Sequence, residues 1–162
     1  MIRPFRPTDR DALIEITARA FEGVSVDHNI ESRYGVIHGV RWQERKARHI
    51  EADIMVNSAG IFVFEEEGRV AGFISCRFDR RTLIGSIPNL AVHPGHQGKG
   101  IGKQLIGAGL AYLRSLGMNF VRIETLEQNG CCTALYPRLG FREIARQIHY
   151  ILPLDEPATQ EP

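Results

Sequence analysis

The chain has 162 residues, 43% hydrophobic and 24% charged, as is usual for one globular domain, and this composition excludes wholesale disorder. Its formal net charge of +1 excludes a chain-wide field that would attract nucleic acid or an anionic membrane. The three cysteines include no C-x-x-C pair and the histidines no H-E-x-x-H motif, so we expect neither disulfides nor a metal site. No stretch has the apolar length of a membrane span and no signal-like segment opens the chain, so we expect a cytoplasmic protein.

The first third of the chain predicts one strand followed by helices. Ile2 to Phe5 is typical of a short strand, and the apolar positions that follow, up to residue 21, form one face of a helix. Glu22 to Arg33 has no clean period, so we predict a loop there. Val36 to Met55 has partly helical spacing and predicts one helix, which Gly39 weakens near its start.

Three arginines lie along that last helix at regular spacing. Arg41, Arg45 and Arg48 fall at i, i+4 and i+7, which forms a basic stripe. Most such stripes are solvated faces, and we interpret this one in the same way. The alternative is an anion-recognising wall of a binding cleft.

The middle of the chain predicts an antiparallel meander. Ile61 to Phe64 and Val70 to Phe78 are β-rich segments on either side of an acidic turn that contains Gly68, which predicts a hairpin. A second turn leads into Leu83 to Val92, which we predict to be the third strand.

A helical crossover follows the meander. Gly98 to Leu116 predicts a helix, and Phe120 to Thr125 predicts the next strand. A helix between two strands implies that the strands are parallel. A short helix from Thr133 to Leu139 and final strands from Phe141 to Leu152 complete the prediction.

These elements predict one α/β (α+β) domain over residues 1–152. Its sheet is mixed, because an antiparallel meander is joined to a parallel βαβ unit. Residues 153–162 are rich in proline and acidic residues and predict a flexible tail.

The glycine-rich run Gln97-Gly98-Lys99-Gly100-Ile101-Gly102 lies between a predicted strand and a predicted helix. Successive N–H groups at such a turn, together with the positive end of the helix dipole, predict a phosphate or pyrophosphate site. The dinucleotide pattern G-x-G-x-x-G fails because its last position holds Lys103 or Leu105, and the Walker A pattern fails because neither Gly-Lys pair precedes Ser or Thr. The alternative is an ordinary glycine-rich loop.

The run resembles the pyrophosphate-binding signature of the GNAT N-acetyltransferase superfamily, Gln/Arg-x-x-Gly-x-Gly/Ala. Gln97, Gly100 and Gly102 occupy its three defining positions. A second motif, from Asn129 to Phe141, is similar to that family's Asn, short helix and Leu-Tyr-x-x-x-Gly-Phe element. Two independent motifs therefore occur in the order that the family has.

The resemblance implies a GNAT-like mixed sheet whose central strands, Ile87 to Val92 and Phe120 to Thr125, splay apart and admit the pantetheine arm of acetyl-CoA. It covers residues 61–150 well and residues 2–21 more weakly, and the segment between them has no recognisable counterpart. The acetyl-CoA contacts that it implies are Leu90, Ala91, Val92, Gln97, Gly98, Lys99, Gly100, Ile101, Gly102, Lys103, Asn129 and Tyr136.

The implied reaction is acetyl transfer to a primary amine of a small molecule or peptide, with Tyr136 as the acid that protonates the departing thiolate. A tyrosine of ordinary pKa, about 10, keeps its proton at neutral pH; the alternative is a tyrosine that only packs on a short helix. Several family members carry a glutamate early in the strand where Ser86 to Asn89 has no carboxylate. Glu124 is the first substitute as general base, and deprotonation through water is the alternative.

A non-catalytic acyl-CoA-binding sensor or interaction module is the alternative function. The missing glutamate favours it, whereas the retained Tyr136 favours an enzyme. We expect acetyl-CoA and an amine as partners, neither nucleic acid nor a membrane, and a homodimer as an assembly common in the family.

Overall fold

The computed structural model describes residues 1–154, and five strands within that range form one sheet in chain order. The strands are β1 Ile2–Pro4, β2 Ile61–Glu66, β3 Arg69–Asp79, β4 Ile84–Val92 and β5 Phe120–Ile123. Neighbours from β1 to β4 are antiparallel, whereas β4 and β5 are parallel. The predicted mixed sheet, with its meander and parallel unit, is therefore confirmed.

Helices cover both faces of the sheet. They are α1 Arg10–Ala20, α2 Val26–Tyr34, α3 Trp42–Asn57, α4 Ile101–Ser115 and α5 Gly130–Arg138. One buried cluster packs α1 and α3 against the sheet, and a second packs α4 against the opposite face. Because β3 is covered on both sides, six consecutive residues from Ala71 to Cys76 are buried and the usual alternation disappears. No helix within residues 1–154 combines the length and the apolarity needed to cross a bilayer.

The prediction of a loop from Glu22 to Arg33 is wrong, because α2 occupies most of this segment. The Ser25 hydroxyl caps α2 by accepting the His28 N–H at 3.2 Å. Arg45 of α3 then holds α2 in place, since its guanidinium donates to the Asp27 carbonyl at 3.0 Å and pairs with the carboxylates of Asp27 and Glu31. The stability of α2 therefore comes from capping and tertiary ion pairs rather than from a broad apolar face.

Two predicted helices begin later than expected. The helix predicted from Val36 starts at Trp42, because His38 and Gly39 adopt positive φ in a preceding turn. The helix predicted from Gly98 starts at Ile101, because Gly98 and Gly100 adopt positive φ in a turn before it.

The final strands predicted from Phe141 to Leu152 are wrong, since the structure forms no strand between Phe141 and Leu154. Within this part of the chain, Phe141 packs against the α4 cluster, and Arg146 pairs with Glu143 and with Glu127, each at 2.8 Å. The apolar residues Ile144, Ile148 and Tyr150 are exposed, and within residues 1–154 the segment does not pair with β5, whose outer edge is open. The tail predicted at residues 153–162 falls almost wholly outside the described residues.

Two glycine-to-alanine substitutions are expected to change stability in opposite directions. A Cβ added at Gly72 would lie 2.8 Å from the Ala91 carbonyl oxygen, which belongs to the neighbouring strand and cannot move aside. We expect Gly72→Ala to lower the free energy of unfolding by about 1–3 kcal/mol. Gly107 lies on the exposed side of α4, and a Cβ added there would have no neighbour within 4 Å. Gly107→Ala should therefore raise the free energy of unfolding by up to about 1 kcal/mol. Urea denaturation measures both, and equal midpoints for the two variants would contradict the packing described here.

Candidate functional site

The sheet opens between β4 and β5. The parallel pairing runs from Ile84 beside Phe120 to Ile87 beside Ile123, where β5 ends. β4 continues from Pro88 to Val92 with no β5 residue beside it. The predicted splaying of the two central strands is therefore present as a gap five residues long on the β4 side.

A register irregularity accompanies the gap. The β3–β4 pairing shifts between Ser75 and Arg77, opposite the part of β4 that contains Pro88. Proline lacks the N–H that a central strand needs, and it is tolerated in sheets at such irregularities. The shift also reverses the side of the sheet toward which alternate β4 side chains point. Ile87 packs with the α4 cluster, whereas Ala91, four residues later, packs with the α1 and α3 cluster on the other side.

The peptide groups of Leu90 and Val92 are directed into the gap. The N–H of His93 donates to the Ala71 carbonyl at 2.9 Å, so His93 and the residues that alternate with it, Ala91 included, bond to β3. The residues between them turn their N–H and C=O groups the other way. The Val92 carbonyl accepts the side-chain amide of Gln97 at 3.0 Å, and this bond ties the glycine-rich turn to the gap.

The glycine-rich turn presents a row of backbone donors. Gly98 and Gly100 have φ of 78° and 75°, values that glycine adopts without steric cost, and Gly100 caps α4. Within the described residues, the N–H groups of Gly98, Lys99 and Gly100 have no backbone acceptor. The first N–H groups of α4 are also free, as at any helix start, and the helix dipole adds positive potential. The turn therefore has the donor arrangement that a pyrophosphate requires.

The two lysines beside this turn differ in their surroundings. Lys99 pairs with Glu66 at 3.3 Å, and Glu66 also contacts the His96 Nδ1 at 2.7 Å. The His96 contact, followed by the Lys99 contact, holds the pKa of Glu66 below its usual value. Lys103 is exposed and makes no ion pair within residues 1–154. Lys103 is therefore the less neutralised cation near the turn.

Comparison with known proteins agrees with this geometry. Residues 16–141 match the family model of the acetyltransferase (GNAT) family. The chain belongs to the GNAT acetyltransferase family. It is 34% identical over 155 residues to a mycothiol acetyltransferase of Salinispora arenicola, an alignment that covers 92% of this chain and 47% of that protein. The chain thus spans about half the length of the curated relatives it matches.

Solved structures show the same fold. The PaiA N-acetyltransferase of Thermoplasma acidophilum, in complex with coenzyme A, has a TM-score of 0.70 at 20% identity, over 88% of this chain and 89% of that one. A GNAT family acetyltransferase of Brucella melitensis, in complex with acetyl-CoA, has a TM-score of 0.63 at 26% identity, over 88% and 82%.

The second GNAT motif forms α5, which packs beside the turn. A Cβ built on Gly102 would lie 3.9 Å from both Leu135 of α5 and Val92 of β4, so the start of α4, α5 and the gap meet here. The side chain of Asn129 caps α5 by accepting the Cys132 N–H at 3.3 Å. Contact between the Asn129 side chain and acetyl-CoA stays a prediction.

Tyr136 lies half-buried on α5, with its ring 5.9 Å from that of Phe141. Burial raises the pKa of Tyr136 well above its ordinary value, and the neighbouring Cys132 thiol raises it further. The hydroxyl therefore carries its proton throughout the neutral pH range. Pro137, which follows it, lies inside α5 without ending the helix.

Glu124, the predicted base, lies directly after β5 with its side chain 74% exposed. Its carboxylate is 3.8 Å from the Arg122 guanidinium, also a solvent-exposed group. Among the described contacts, none brings Glu124 to the glycine turn, to α5 or to the gap-facing residues of β4. Of the two predicted catalytic residues, Tyr136 lies on α5 beside the turn, whereas Glu124 has no described contact that places it there.

A buried polar cluster on the α3 face was missed in the sequence. Asp53 of α3 accepts from the Ser75 hydroxyl, from the Asn89 amide at 2.7 Å and from the Arg77 Nε at 2.8 Å. The Lys46 ammonium donates to the Asn89 Oδ1 at 2.9 Å. The signal available in the sequence was a carboxylate at position 53, one turn after the apolar Ile50, where the helix faces the core.

An open cleft of about 300 Å³ lies over this cluster, where β5 leaves β4. Its lining residues are Arg48, His49, Ala52, Asp53, Arg77, Pro88 and Asn89. A larger hollow of about 430 Å³ lies between β1 and α4 at the far edge of the sheet and contains none of the predicted site residues. The smaller cleft is therefore the candidate for a second substrate.

Replacement of Gly100 tests the role of the turn. Valine is β-branched and strongly disfavours the positive φ of Gly100, so Gly100→Val should reorient the N–H groups at the start of α4. We expect its dissociation constant for CoA to rise by about tenfold or more, measured by isothermal titration calorimetry. Gly102→Ala is the matched control, because its added methyl would meet nothing closer than 3.9 Å. Wild-type affinity in a folded Gly100→Val variant would contradict a role for the turn.

Proposed function

We propose that this chain transfers the acetyl group of acetyl-CoA to a primary amine of a small molecule or peptide by direct attack of the amine on the thioester. The observation that carries the proposal is the meeting of two ligand surfaces. The unpaired donors of the glycine turn, the peptide groups of Leu90 and the N–H of Val92 border one continuous gap, and the Val92 carbonyl accepts the Gln97 side chain. The coenzyme A and acetyl-CoA complexes of the structural neighbours support acetyl-CoA as the donor.

The donor would be held mostly by backbone groups. Its pyrophosphate would accept from the N–H groups between Gly98 and Gly102, with Lys103 as the nearest unpaired cation. Its pantetheine amides would bond to Leu90 and Val92 as an added strand. An N–H in the same row would polarise the thioester carbonyl and stabilise the developing oxyanion.

Tyr136 would act as general acid. The neutral amine nitrogen forms a bond to the carbonyl carbon, the carbon–sulfur bond breaks, and the thiolate takes the proton of the Tyr136 hydroxyl. The attacking nitrogen loses one proton to water and the tyrosinate regains one from water, so the products are the amide and the free thiol. Because burial raises the pKa of Tyr136, the hydroxyl is protonated at neutral pH and has a proton to donate. The packing of α5 against Val92 and the start of α4 supports a position beside the thioester.

Deprotonation of the amine does not require a dedicated carboxylate. Glu124 would have to act through water, because its side chain is exposed and paired with Arg122. A water relay, or an amine that arrives neutral, fits the site better. An N-terminal amine with a pKa near 8 needs less help than a lysine-like amine with a pKa of about 10.4.

The second candidate is a non-catalytic acyl-CoA-binding module. The lack of a carboxylate between Ser86 and Asn89 favours it. Release of free thiol from acetyl-CoA, followed over a panel of amino acids, polyamines, aminoglycosides and short peptides, separates the two functions. Release above background hydrolysis with one class supports the enzyme, whereas acetyl-CoA binding with no release over the whole panel supports the module.

Removal of the Tyr136 hydroxyl tests the catalytic proposal. We expect Tyr136→Phe to lower kcat by about a hundredfold, since general acid catalysis contributes at least that much. Its affinity for CoA should remain within twofold of the wild type, because the ring still packs. Tyr150→Phe is the control, as this side chain is 89% exposed and should leave both constants unchanged. Loss of affinity with intact turnover would contradict the role of Tyr136 as acid.

A further inference from the structure

The α3-face cleft lies on the opposite side of the sheet from α4. The side chains of Asn89 and Asp53 reach it from β4 and α3, whereas the glycine turn leads into α4 on the other face. Pro88 and Asn89 of the cleft immediately precede the gap-facing Leu90. A molecule in this cleft would therefore approach a thioester in the gap from the face that the donor leaves free.

The side chains that line the cleft include more basic groups than acidic ones. α3 contributes Arg48, His49 and Asp53, β3 contributes Arg77, and β4 contributes only the neutral Pro88 and Asn89. The Arg77 Nε and Nη2 bond to Asp53, at 2.8 and 2.6 Å, and so compensate its negative charge. The carboxylate of Asp53 has no acceptor capacity left, since Ser75 and Asn89 use its other oxygen.

Arg48 is the cation without a partner. Its exposed guanidinium makes no hydrogen bond or ion pair within residues 1–154. Arg45, from the same predicted stripe, is instead committed to α2, and His49 lies 3.7 Å from the Asp27 carboxylate outside the cleft. Lys46 adds a further positive charge behind Asn89. The cleft therefore carries an excess of positive charge where a protonated amine would have to enter.

We propose that the acceptor amine also carries an anionic group, a carboxylate or a phosphate, which binds Arg48 and the free edge of the Arg77 guanidinium. This proposal rests on the acetyltransferase function proposed above and names its substrate class. Guanidinium groups bind both anions through paired N–H donors. A volume of about 300 Å³ limits the acceptor to a small molecule or the end of a longer one.

The positive charges of the cleft also favour the neutral, reactive form of the acceptor amine. Positive charge near a bound amine disfavours its ammonium form and lowers its pKa. A larger fraction of the bound acceptor is then neutral and able to attack at neutral pH. The cleft in this way supplies part of what a general base would otherwise provide.

Matched acceptors test the proposal. Acetyl-CoA thiol release is measured with β-alanine against β-alaninamide and with phosphoethanolamine against ethanolamine, so that one arm varies a carboxylate and the other a phosphate. We expect kcat/KM to be at least about tenfold higher for the anionic member of one pair, as one charge-assisted contact provides. Preference for the neutral member in both pairs, or no preference, overturns the anionic substrate class while leaving the proposed function intact. No thiol release above background with any of the four acceptors or with the wider amine panel counts against the proposed function itself.

Substitution of Arg48 connects the preference to the cleft. Arg48→Gln should raise KM for the preferred anionic acceptor by about tenfold and leave the neutral member unchanged. Arg41→Gln is the matched control, because Arg41 is an exposed arginine at the N-cap of α3 and does not line the cleft. Equal effects of the two substitutions would overturn the assignment of Arg48.

The pH dependence of kcat separates a charge effect from a structural one. Loss of a cation beside the bound amine should raise the pKa of that amine. The ascending limb of the kcat profile of Arg48→Gln should therefore move to higher pH by about half a unit. An unchanged limb would contradict the proposed effect on the amine, whatever the change in KM.

Discussion

The parallel pairing of β4 and β5 ends after Ile87, and the rest of the candidate site depends on this early end. Had β5 continued beside β4, the peptide groups of Leu90 and Val92 would be consumed in sheet hydrogen bonds. Because β5 stops at Ile123, the peptide groups of Leu90 and the N–H of Val92 remain available to an extended ligand, while the Val92 carbonyl accepts the Gln97 side chain. The register shift near Pro88, in the same part of β4, turns Asn89 toward α3, where its side chain forms part of the polar floor of the cleft.

The Asp53 cluster holds the two sides of that opening in place. A buried carboxylate costs several kcal/mol unless it is paired and hydrogen-bonded. Asp53 meets this requirement with donors from two strands, Ser75 and Arg77 of β3 and Asn89 of β4. The cluster therefore fixes α3 against the strands where β5 diverges. This position suits a structural carboxylate, and its saturated oxygens explain why the nearest acid in the cleft is a poor candidate for a general base.

The fold could be predicted where local signals and pattern agreed. The hairpin, the parallel unit, the glycine turn and the motif around Tyr136 all have short-range signatures, and the structure contains each of these elements. The helix α2 could not be predicted from its weak period, because Arg45 stabilises it from another helix. The strands predicted after Phe141 did not form: the segment is rich in apolar residues, yet within residues 1–154 it does not pair with the open outer edge of β5. The Asp53 cluster was missed because a polar residue at a buried position becomes interpretable only when its tertiary partners are known.

The candidate site also explains why overall charge is a poor guide to this protein. A net charge of +1 offers no long-range attraction, and ions at physiological strength screen exposed charges beyond about 8 Å. The turn before α4 instead presents backbone dipoles, whose effect depends on orientation rather than on net charge. The pairing of Lys99 with Glu66 leaves this backbone row, with Lys103 beside it, as the main anion-attracting feature at the start of α4. The orientation of backbone N–H groups close to the ligand therefore supplies the attraction that a basic surface supplies in proteins that recognise polyanions at long range.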